Sequence, residues 1–230
     1  MPNGVHRVRV MAVGGGAGGG SGHGGGGGSG HVIVSDLQVN PFDVVPVTVG
    51  LGGAGSSYKY NDNVQTAAAG HASLFGSLVR ANGGRAPGCS GGSGGSGGGG
   101  GQSGNAMSGA GGTNGAEGGS GSCQGGQGQA SPFSYLFSSF RLSTFTPGNG
   151  GIGAAHSIIH PYQQTTITWN CGGSGGGGVL MNDNGPAGGN GGCGSEGGRG
   201  FGAGGSGGYY YSNQWNEGGN GADGLVYVEW

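Results

Sequence analysis

The residue types that most often do chemistry are few in this chain, and their spacing matches no known catalytic or metal site. His156 and His160 lie four residues apart, but no helix is predicted around them and no glutamate accompanies them. The 9 carboxylates are scattered, so no acid and base pair can be assigned. Lys59, the only lysine, stands outside any phosphate-binding Gly-x4-Gly-Lys motif. We therefore expect no catalytic residue, no metal and no cofactor, and a protein that is not an enzyme.

The cysteines do not form a zinc-binding pattern either. None of them belongs to a Cys-x-x-Cys pair, and all lie in or beside glycine tracts. Free thiols and cross-links between neighbouring glycine segments both remain open, and four cysteines allow three pairings. These residues are Cys89, Cys123, Cys171 and Cys193.

Composition limits the classes of protein to which the chain can belong. Glycine accounts for 71 of the 230 residues, and large apolar residues are too scarce for one conventional core. Charged residues make up only 7%, whereas disordered chains are usually well charged. A net charge of -2 with a single lysine argues against nucleic-acid binding. No apolar run is long enough for membrane insertion, and no signal peptide is visible, so we expect synthesis in a cytoplasm.

Glycine recurs with a period of three in three tracts. One register runs from Gly16 to Gly28 and is entirely glycine, and a second, from Gly88 to Gly121, is broken only by Ser103 and Ala106. A third runs from Gly185 to Gly200 and returns at Gly218, Gly221 and Gly224. Three residues per turn is the polyproline-II period, and the intervening small and amide residues favour polyglycine-II helices over collagen.

Such helices have no internal backbone hydrogen bonds, so their buried amides must be paired in another way. Pairing between neighbouring helices of a bundle meets this need, and close approach requires glycine on the facing edges. Ordering glycine costs about 1–2 kcal/mol of backbone entropy per residue. We therefore expect a cooperative bundle held by lateral amide pairing.

The remaining sequence is typical of β-strands, and no stretch has a convincing helical period. The pattern predicts one glycine-rich domain over residues 1–230: an all-β sandwich or jelly roll with inserted polyglycine-II helices and essentially no α-helix. The first and last strands are expected to pair. The strands are predicted at 5–13, 31–39, 44–51, 73–81, 134–146, 163–169 and 225–230, and the glycine helices at 14–30, 88–128 and 171–224.

Four blocks of the sequence resemble the glycine-rich domain of bacteriophage tail fibre and tail tip proteins, in the order of that family. The non-glycine parts are the most specific: Val-Thr-Val-Gly, Ser-Leu-Phe-Gly-Ser-Leu-Val and Val-Glu-Trp. The blocks are 8–20, 46–55, 73–84 and 221–230.

This resemblance implies a virion protein of the tail that takes part in host adsorption. Related adhesins carry layered polyglycine helices with variable loops at one end that touch the receptor. The implied partners are a host cell-surface protein or glycan and other tail or fibre proteins. A homotrimer and a single copy on a trimeric shaft are both allowed for a fibre tip.

Three segments that interrupt the glycine scaffold are rich in aromatic and amide side chains, which suit a binding surface. They cover 58–63, 179–184 and 209–217, and the same aromatics would alternatively cover bundle ends or fill a core. The aromatic run at 133–140 is better explained as core. The candidate receptor-binding residues are Tyr58, Tyr60, Asn182, Asp183, Tyr209, Tyr210, Tyr211 and Trp215.

Two other functions remain open at this point. A purely structural virion protein, such as a head decoration, head fibre or tail tip component, would have the same fold without affinity for host cells. An ice-binding polyglycine bundle would need secretion and a flat face of small residues, and the missing leader argues against it.

Overall fold

A computed structural model describes the two ends of the chain and several pieces between them, and the described residues contain strands and no helix. They are residues 1–21, 24–57, 66–87, 92, 94, 156–159, 166–169, 178–182, 185–189, 197, 200–207, 210–211, 214–215 and 217–230.

The strands, in chain order, are β1 (Arg7–Val13), β2 (Val32–Gln38), β3 (Val47–Thr48), β4 (Ser73–Phe75), β5 (Val79–Ala81), β6 (His156–Ile159), β7 (Thr166–Trp169), β8 (Gly178–Asn182), β9 (Gly185–Gly189), β10 (Tyr210–Tyr211), β11 (Gln214–Trp215) and β12 (Leu225–Glu229).

The first three-stranded sheet has the order β12-β1-β2, and both of its pairs are antiparallel. The predicted pairing of the first and last strands is confirmed, with Val10 opposite Val228. β1 alternates apolar and charged residues at its start, so Val8 and Val10 are buried while Arg7 is exposed. From Val10 onward every residue of β1 is buried, because its second half is covered on both faces.

The second sheet has the order β3-β4-β5, again antiparallel. The sequence predicts one strand over 73–81, but the structure has two strands joined by a tight turn. Gly76 takes a φ of 54° there and donates a backbone hydrogen bond to Pro46. Such a backbone angle strongly favours glycine, and it reverses the chain after Phe75.

One hydrophobic cluster lies between the two sheets. Phe75 and Val79 of the second sheet pack with Val8, Val10 and Ala12 of the first. The opposite face of the first sheet has a smaller cluster, in which Met11, Val13 and Val32 pack with the side chain of Phe201. Both clusters lie among the strands, so conventional apolar packing is confined to one end of the described structure.

Seven segments form a second part of the described structure, and six of them continue from the strands of the two sheets. They are segment I (14–20), segment II (24–31), segment III (50–56), segment IV (68–71), segment V (82–85), segment VI (202–207) and segment VII (218–224). Segments I, II and VII extend the first sheet, and segments III, IV and V extend the second.

Segment I has a different hydrogen-bond partner at each of three successive residues, and the partners then repeat. The amides of Gly14, Ala17 and Gly20 donate to segment II. Those of Gly15 and Gly18 donate to segment IV, and those of Gly16 and Gly19 donate to segment VII. The carbonyls of segment I accept amides from segments III, V and VI. Segment I therefore has six hydrogen-bonded neighbours.

The six neighbours form a closed ring around segment I. Backbone hydrogen bonds join II to V, V to IV, IV to III, III to VII, VII to VI, and VI to II, at 2.7 to 3.2 Å. Where a pair makes several bonds, as between VII and III, the partners step in opposite directions along the two chains. The predicted lateral pairing of amides is thus confirmed for the described segments.

Close packing leaves no room for side chains along segment I. A Cβ atom built on Gly16 would lie 2.0 Å from the carbonyl oxygen of Ala203, and one on Gly19 would lie 1.8 Å from that of Ser206. Real Cβ contacts with backbone are much longer, so these glycines are required by the approach of neighbouring backbones. Ala17 is the exception in this segment, and it is fully buried.

Other predicted ranges differ from the structure or lie outside it. Of 44–51, only Val47–Thr48 is a strand, because the chain enters segment III at Gly50. The range 163–169 contains β7, and 171–224 contains strands β8 to β11 as well as glycine segments. The predicted strand 134–146 lies outside the described residues, as does 88–128 except for Gly92 and Gly94.

Candidate functional site

The ring of segments, called the bundle from here on, has two unlike ends. At one end, the base, the segments continue into the two sheets. At the other end, the tip, Ser56 donates to Gly19 and accepts from Gly218. The amide of Gly20 donates to Gly25 there, where the chain turns from segment I into segment II. The tip is therefore formed where segments end and the chain connects one to the next.

Two of the three predicted binding segments follow, in the sequence, glycine segments that end at this tip. Residues 58–63 lie between segments III and IV, whose tip residues Ala54 and Ala68 are hydrogen-bonded. Residues 209–217 lie between segments VI and VII, which are joined by the Gly219 amide and the Ser206 carbonyl. The fold thus brings together the starting points of two loops that are about 150 residues apart in sequence.

The structure describes part of the predicted binding residues. Tyr210 and Trp215 are paired across the two short strands β10 and β11, and Tyr211 is paired with Gln214. Asn182 ends β8 and is paired with Gly185, the first residue of β9. The remaining four predicted residues, Tyr58, Tyr60, Asp183 and Tyr209, lie outside the described residues.

The bundle exposes about one residue in three on the ring segments that face solvent. Leu51 and Ala54 are exposed on segment III, and Asn220 and Asp223 are exposed on segment VII, three residues apart in each case. Segments II and VI differ, since residues 24–30 and 202–207 are all buried. Since the exposed residues of segments III and VII recur three apart, these positions can vary without entering the lattice.

Polar side chains complete the hydrogen bonds of segment III where no further backbone is present. Asp223 Oδ1 accepts the amide of Gly52 at 2.7 Å, and Asn220 Oδ1 accepts that of Gly55 at 2.8 Å. Ser73 performs a similar task at the base, where its buried hydroxyl accepts from Gly50 and donates to the carbonyl of Val13. These side chains replace a missing neighbouring segment.

Three charged groups lie together on β1 and β2. Arg9 Nε lies 2.8 Å from Asp36 Oδ1, and Arg7 lies 3.0 Å from the other carboxylate oxygen. The hydrogen bond from Arg9 is the main reason why the pKa of Asp36 is lowered. The pKa of His31 is also lowered, first by burial and then by the positive charge of Arg85.

The base has an apolar exposed surface that the sequence reasoning missed. Val44 is 93% exposed, Phe42 72% and Leu78 51%, while Val47, Val49 and Leu51 continue the exposed apolar positions toward the bundle. A shallow cleft of about 410 Å³ lies between Val44 and Leu78. The available signal was the absence of charge, since no Asp, Glu, Lys or Arg occurs from residue 44 to residue 58.

Two kinds of feature are absent from the part of the chain that the structure describes. It contains no group of three or more His, Cys, Asp or Glu side chains placed to hold a metal ion. It also contains no helix with the length and apolar character needed to cross a membrane. The strand β6 contains His156, and its partner across the hairpin is Trp169.

Comparison with known proteins identifies a family for this chain. No curated protein matches the chain. The family model described as a glycine-rich domain matches residues 1–230, which is the entire sequence. The match includes both the strands of the base and the glycine segments of the bundle. The chain therefore belongs to the glycine-rich domain family.

Proposed function

We propose that this protein is an adhesin of a bacteriophage tail fibre or tail tip, in which a rigid glycine lattice presents aromatic loops to a receptor on the host cell. The observation that carries the proposal is the origin of the loops containing 58–63 and 209–217 at one end of the bundle. The sequence resemblance to tail fibre domains supports the virion setting.

The scaffold suits this task because its rigidity does not depend on a large apolar core. We interpret the seven segments as polyglycine-II helices, since their hydrogen-bond partners repeat every three residues and lie on other segments. The two sheets at the base then form a small two-layer sandwich, from which the first glycine segment starts and to which the last one returns. When loops on such a support bind a receptor, the support itself loses little conformational entropy, so only the ordering of the loops opposes binding.

The chemistry of the loops favours a protein loop or a glycan as the receptor. Tyrosine and tryptophan rings provide rigid contact area, and amide side chains provide adaptable hydrogen bonds. Tyr210, Tyr211 and Trp215 lie on one hairpin within the connection between segments VI and VII. The remaining candidates, Tyr58, Tyr60, Tyr209, Asn182 and Asp183, would enlarge the same kind of surface.

The test measures binding of the purified, labelled chain to host cells and its ability to block adsorption of the phage. A variant with Tyr210→Ala, Tyr211→Ala and Trp215→Ala should lose most binding, by about tenfold or more, because aromatic residues dominate such contacts. The matched control removes exposed aromatics elsewhere, with Phe42→Ala and Trp230→Ala, which are 72% and 69% exposed. The control should bind like the unmodified chain.

Immunogold electron microscopy of the virus particles separates adhesion from a structural role. Label at the distal end of the tail or fibre is expected. Label on the head, together with no binding of the purified chain to host cells, would contradict the adhesin proposal and favour a structural virion protein. Equal loss of binding in the loop variant and the aromatic control would also count against recognition by the tip.

A further inference from the structure

Two dipeptides of asparagine followed by glycine lie in the ring of segments. Asn82–Gly83 is in segment V, Asn220–Gly221 is in segment VII, and both asparagines are exposed to solvent. The backbone nitrogen of a glycine can attack the side-chain carboxamide of a preceding asparagine, because glycine has no side chain to hinder ring closure. The reaction needs a free amide on the glycine and a carboxamide that can turn toward it. The hydrogen bonds of these groups therefore decide which dipeptide can react.

The dipeptide in segment VII is held at both reacting groups. The amide of Gly221 donates to the carbonyl of Gly53 at 2.9 Å. The side-chain oxygen of Asn220 accepts the amide of Gly55 at 2.8 Å. The backbone nitrogen can attack only after the first bond breaks, and the carboxamide can turn only after the second one breaks. The folded bundle should therefore protect Asn220.

The dipeptide in segment V has its backbone nitrogen free. Among the described residues, the amide of Gly83 donates no hydrogen bond, whereas the carbonyl of Asn82 accepts the amide of His31 at 2.9 Å. The peptide group between the two residues is thus held by its oxygen alone. Glycine is also required here, since a Cβ on Gly83 would lie 2.1 Å from the carbonyl oxygen of Gly70. The lattice therefore excludes the larger residues that would slow the reaction.

A positive charge lies against the carboxamide of Asn82. Arg80 Nε donates to Asn82 Oδ1 at 2.9 Å. Attack on Cγ moves negative charge onto this oxygen, and a guanidinium group, which is always charged, stabilises that charge. The corresponding oxygen of Asn220 has only a neutral backbone amide as its donor. Segment V thus combines a free nucleophile, an exposed carboxamide and a charged donor.

We propose that Asn82 is a self-modification site, at which the Gly83 nitrogen displaces the carboxamide nitrogen of Asn82 with the help of Arg80. The Gly83 nitrogen gives its proton to hydroxide and bonds to Cγ of Asn82. The bond between Cγ and Nδ2 breaks, and Nδ2 takes a proton from water and leaves as ammonia. Water then adds to either carbonyl carbon of the resulting succinimide ring and opens it, which gives aspartate or isoaspartate.

The two products change the bundle in different ways. Both place a negative charge beside Arg80. Isoaspartate also lengthens the main chain by a methylene group, between the Asn82 carbonyl that accepts from His31 and the Gly84 amide that donates to Gly15. Both bonds cannot then keep their positions, so segment V loosens with time. This inference is independent of the proposed receptor and of the loops at the tip.

Peptide mapping by mass spectrometry tests the proposal on the purified full-length chain, incubated in mildly alkaline buffer. In the folded chain, Asn82 should lose ammonia at least about tenfold faster than Asn220, because Asn220 must first break hydrogen bonds. In urea the two rates should become similar, since both residues then belong to free Asn-Gly dipeptides. A folded chain in which Asn82 reacts no faster than Asn220 overturns the proposal.

Substitution of the arginine tests its part in the reaction. Arg80→Met removes the donor and should slow the reaction at Asn82 by about threefold or more. The matched control is Arg85→Met, which removes an exposed arginine of segment V and should leave the rate unchanged. An unchanged rate in Arg80→Met, or an equal decrease in the control, overturns the proposal.

The rate at Asn220 reports whether each variant is folded, because it should rise only when the bundle opens. If Arg80→Met unfolds in this way, Arg80→Lys replaces it, and this variant should retain most of the rate because lysine keeps a charged donor. The comparison of Asn82 with Asn220 in the unmodified chain decides the question in either case.

Discussion

The base and the bundle of this protein are stabilised by different physical means, although the same chain segments run through both. At the base, Phe75 and Val79 pack with Val8 and Val10, and burial of apolar surface dominates. In the bundle, the backbone of segment I bonds to six neighbours with almost no side chain between them. The change occurs within one peptide unit, between Val13 and Gly14.

This comparison shows that a folded lattice can be specified by hydrogen bonds when close approach is guaranteed by glycine. The base should tolerate changes of side-chain shape that keep the volume of its apolar core, as other apolar cores do. The bundle has no such freedom, since its contacts are between backbone atoms at fixed distances. Four predictions test this comparison, and we give them from the largest expected effect to the smallest.

The largest effect is expected from adding one methyl group to the centre of the bundle. Gly16→Ala would place Cβ 2.0 Å from the Ala203 carbonyl oxygen, with backbone on the other sides preventing adjustment. We expect a loss of at least about 3 kcal/mol in the free energy of unfolding, measured by chemical denaturation. Ala17→Gly, the neighbouring control, should cost about 1 kcal/mol. A Gly16→Ala variant as stable as this control would contradict the lattice account.

Truncation at the base should follow the ordinary behaviour of an apolar core. Phe75 is only 2% exposed, and Phe75→Ala should cost about 3–5 kcal/mol through lost burial and a cavity. Phe75→Leu should cost no more than about 1.5 kcal/mol, because most of the volume is retained. Thermal unfolding of both variants checks this, and an equal loss in the two would mean that the base is as intolerant as the bundle.

A hydroxyl group connects the two regions, and its removal should have an intermediate effect. Ser73 is fully buried, with Oγ 2.9 Å from the Gly50 amide and 2.6 Å from the Val13 carbonyl oxygen. Ser73→Ala removes both hydrogen bonds and should cost about 1–3 kcal/mol. Exposed Ser77→Ala, four residues away, should stay within about 0.5 kcal/mol. Equal stability of the two variants would show that water replaces the hydroxyl.

The smallest effect concerns pH and lies where segment II enters β2. The pKa of His31 is lowered below its usual 6.5 in the folded state, mainly by burial, so folding favours the neutral ring. Its stabilising contribution is complete above pH 6.5 and declines as the pH falls toward the lower folded value.

Urea denaturation at pH 7.5 and pH 5.5 measures this contribution. Both pH values lie above the range in which Asp36 loses its contribution, since the folded pKa of Asp36 is below 3.8. His31→Asn should reduce the difference in stability between the two pH values. An unchanged difference would assign the acid sensitivity to other groups.

Much of the base was predictable from the sequence because its strands have side chains that alternate between core and solvent. The strands at both termini were predicted within two residues, and so was their pairing. The turn at Gly76 was not predicted, because a single glycine between apolar residues fits either one strand or two. The threefold spacing of glycine predicted lateral pairing, but it could not predict which segments are neighbours in the ring. Glycine has no side chain with which to select a neighbour.

The candidate site was predictable in kind but not in arrangement. Aromatic residues such as Tyr210 and Trp215 are conspicuous in a glycine-rich sequence. The structure adds that these two residues are paired on one hairpin. That the loops containing 58–63 and 209–217 begin at the same end depends on the directions of segments III, IV, VI and VII. Those directions are set by hydrogen bonds between distant backbones. The apolar exposed surface of the base was visible in the sequence only as a lack of charged residues.

Asn220 and Asp223 have a consequence that concerns size rather than stability. A lattice of identical segments resembles a crystal, which grows on every face that still offers hydrogen-bond donors. By accepting the amides of Gly55 and Gly52, these two side chains close one face to further growth. Polar residues at one position in three can thus limit how far the lattice extends sideways. The number of segments that can pack side by side in such a protein then depends on its polar residues. Its glycines determine only that neighbouring segments can pack closely.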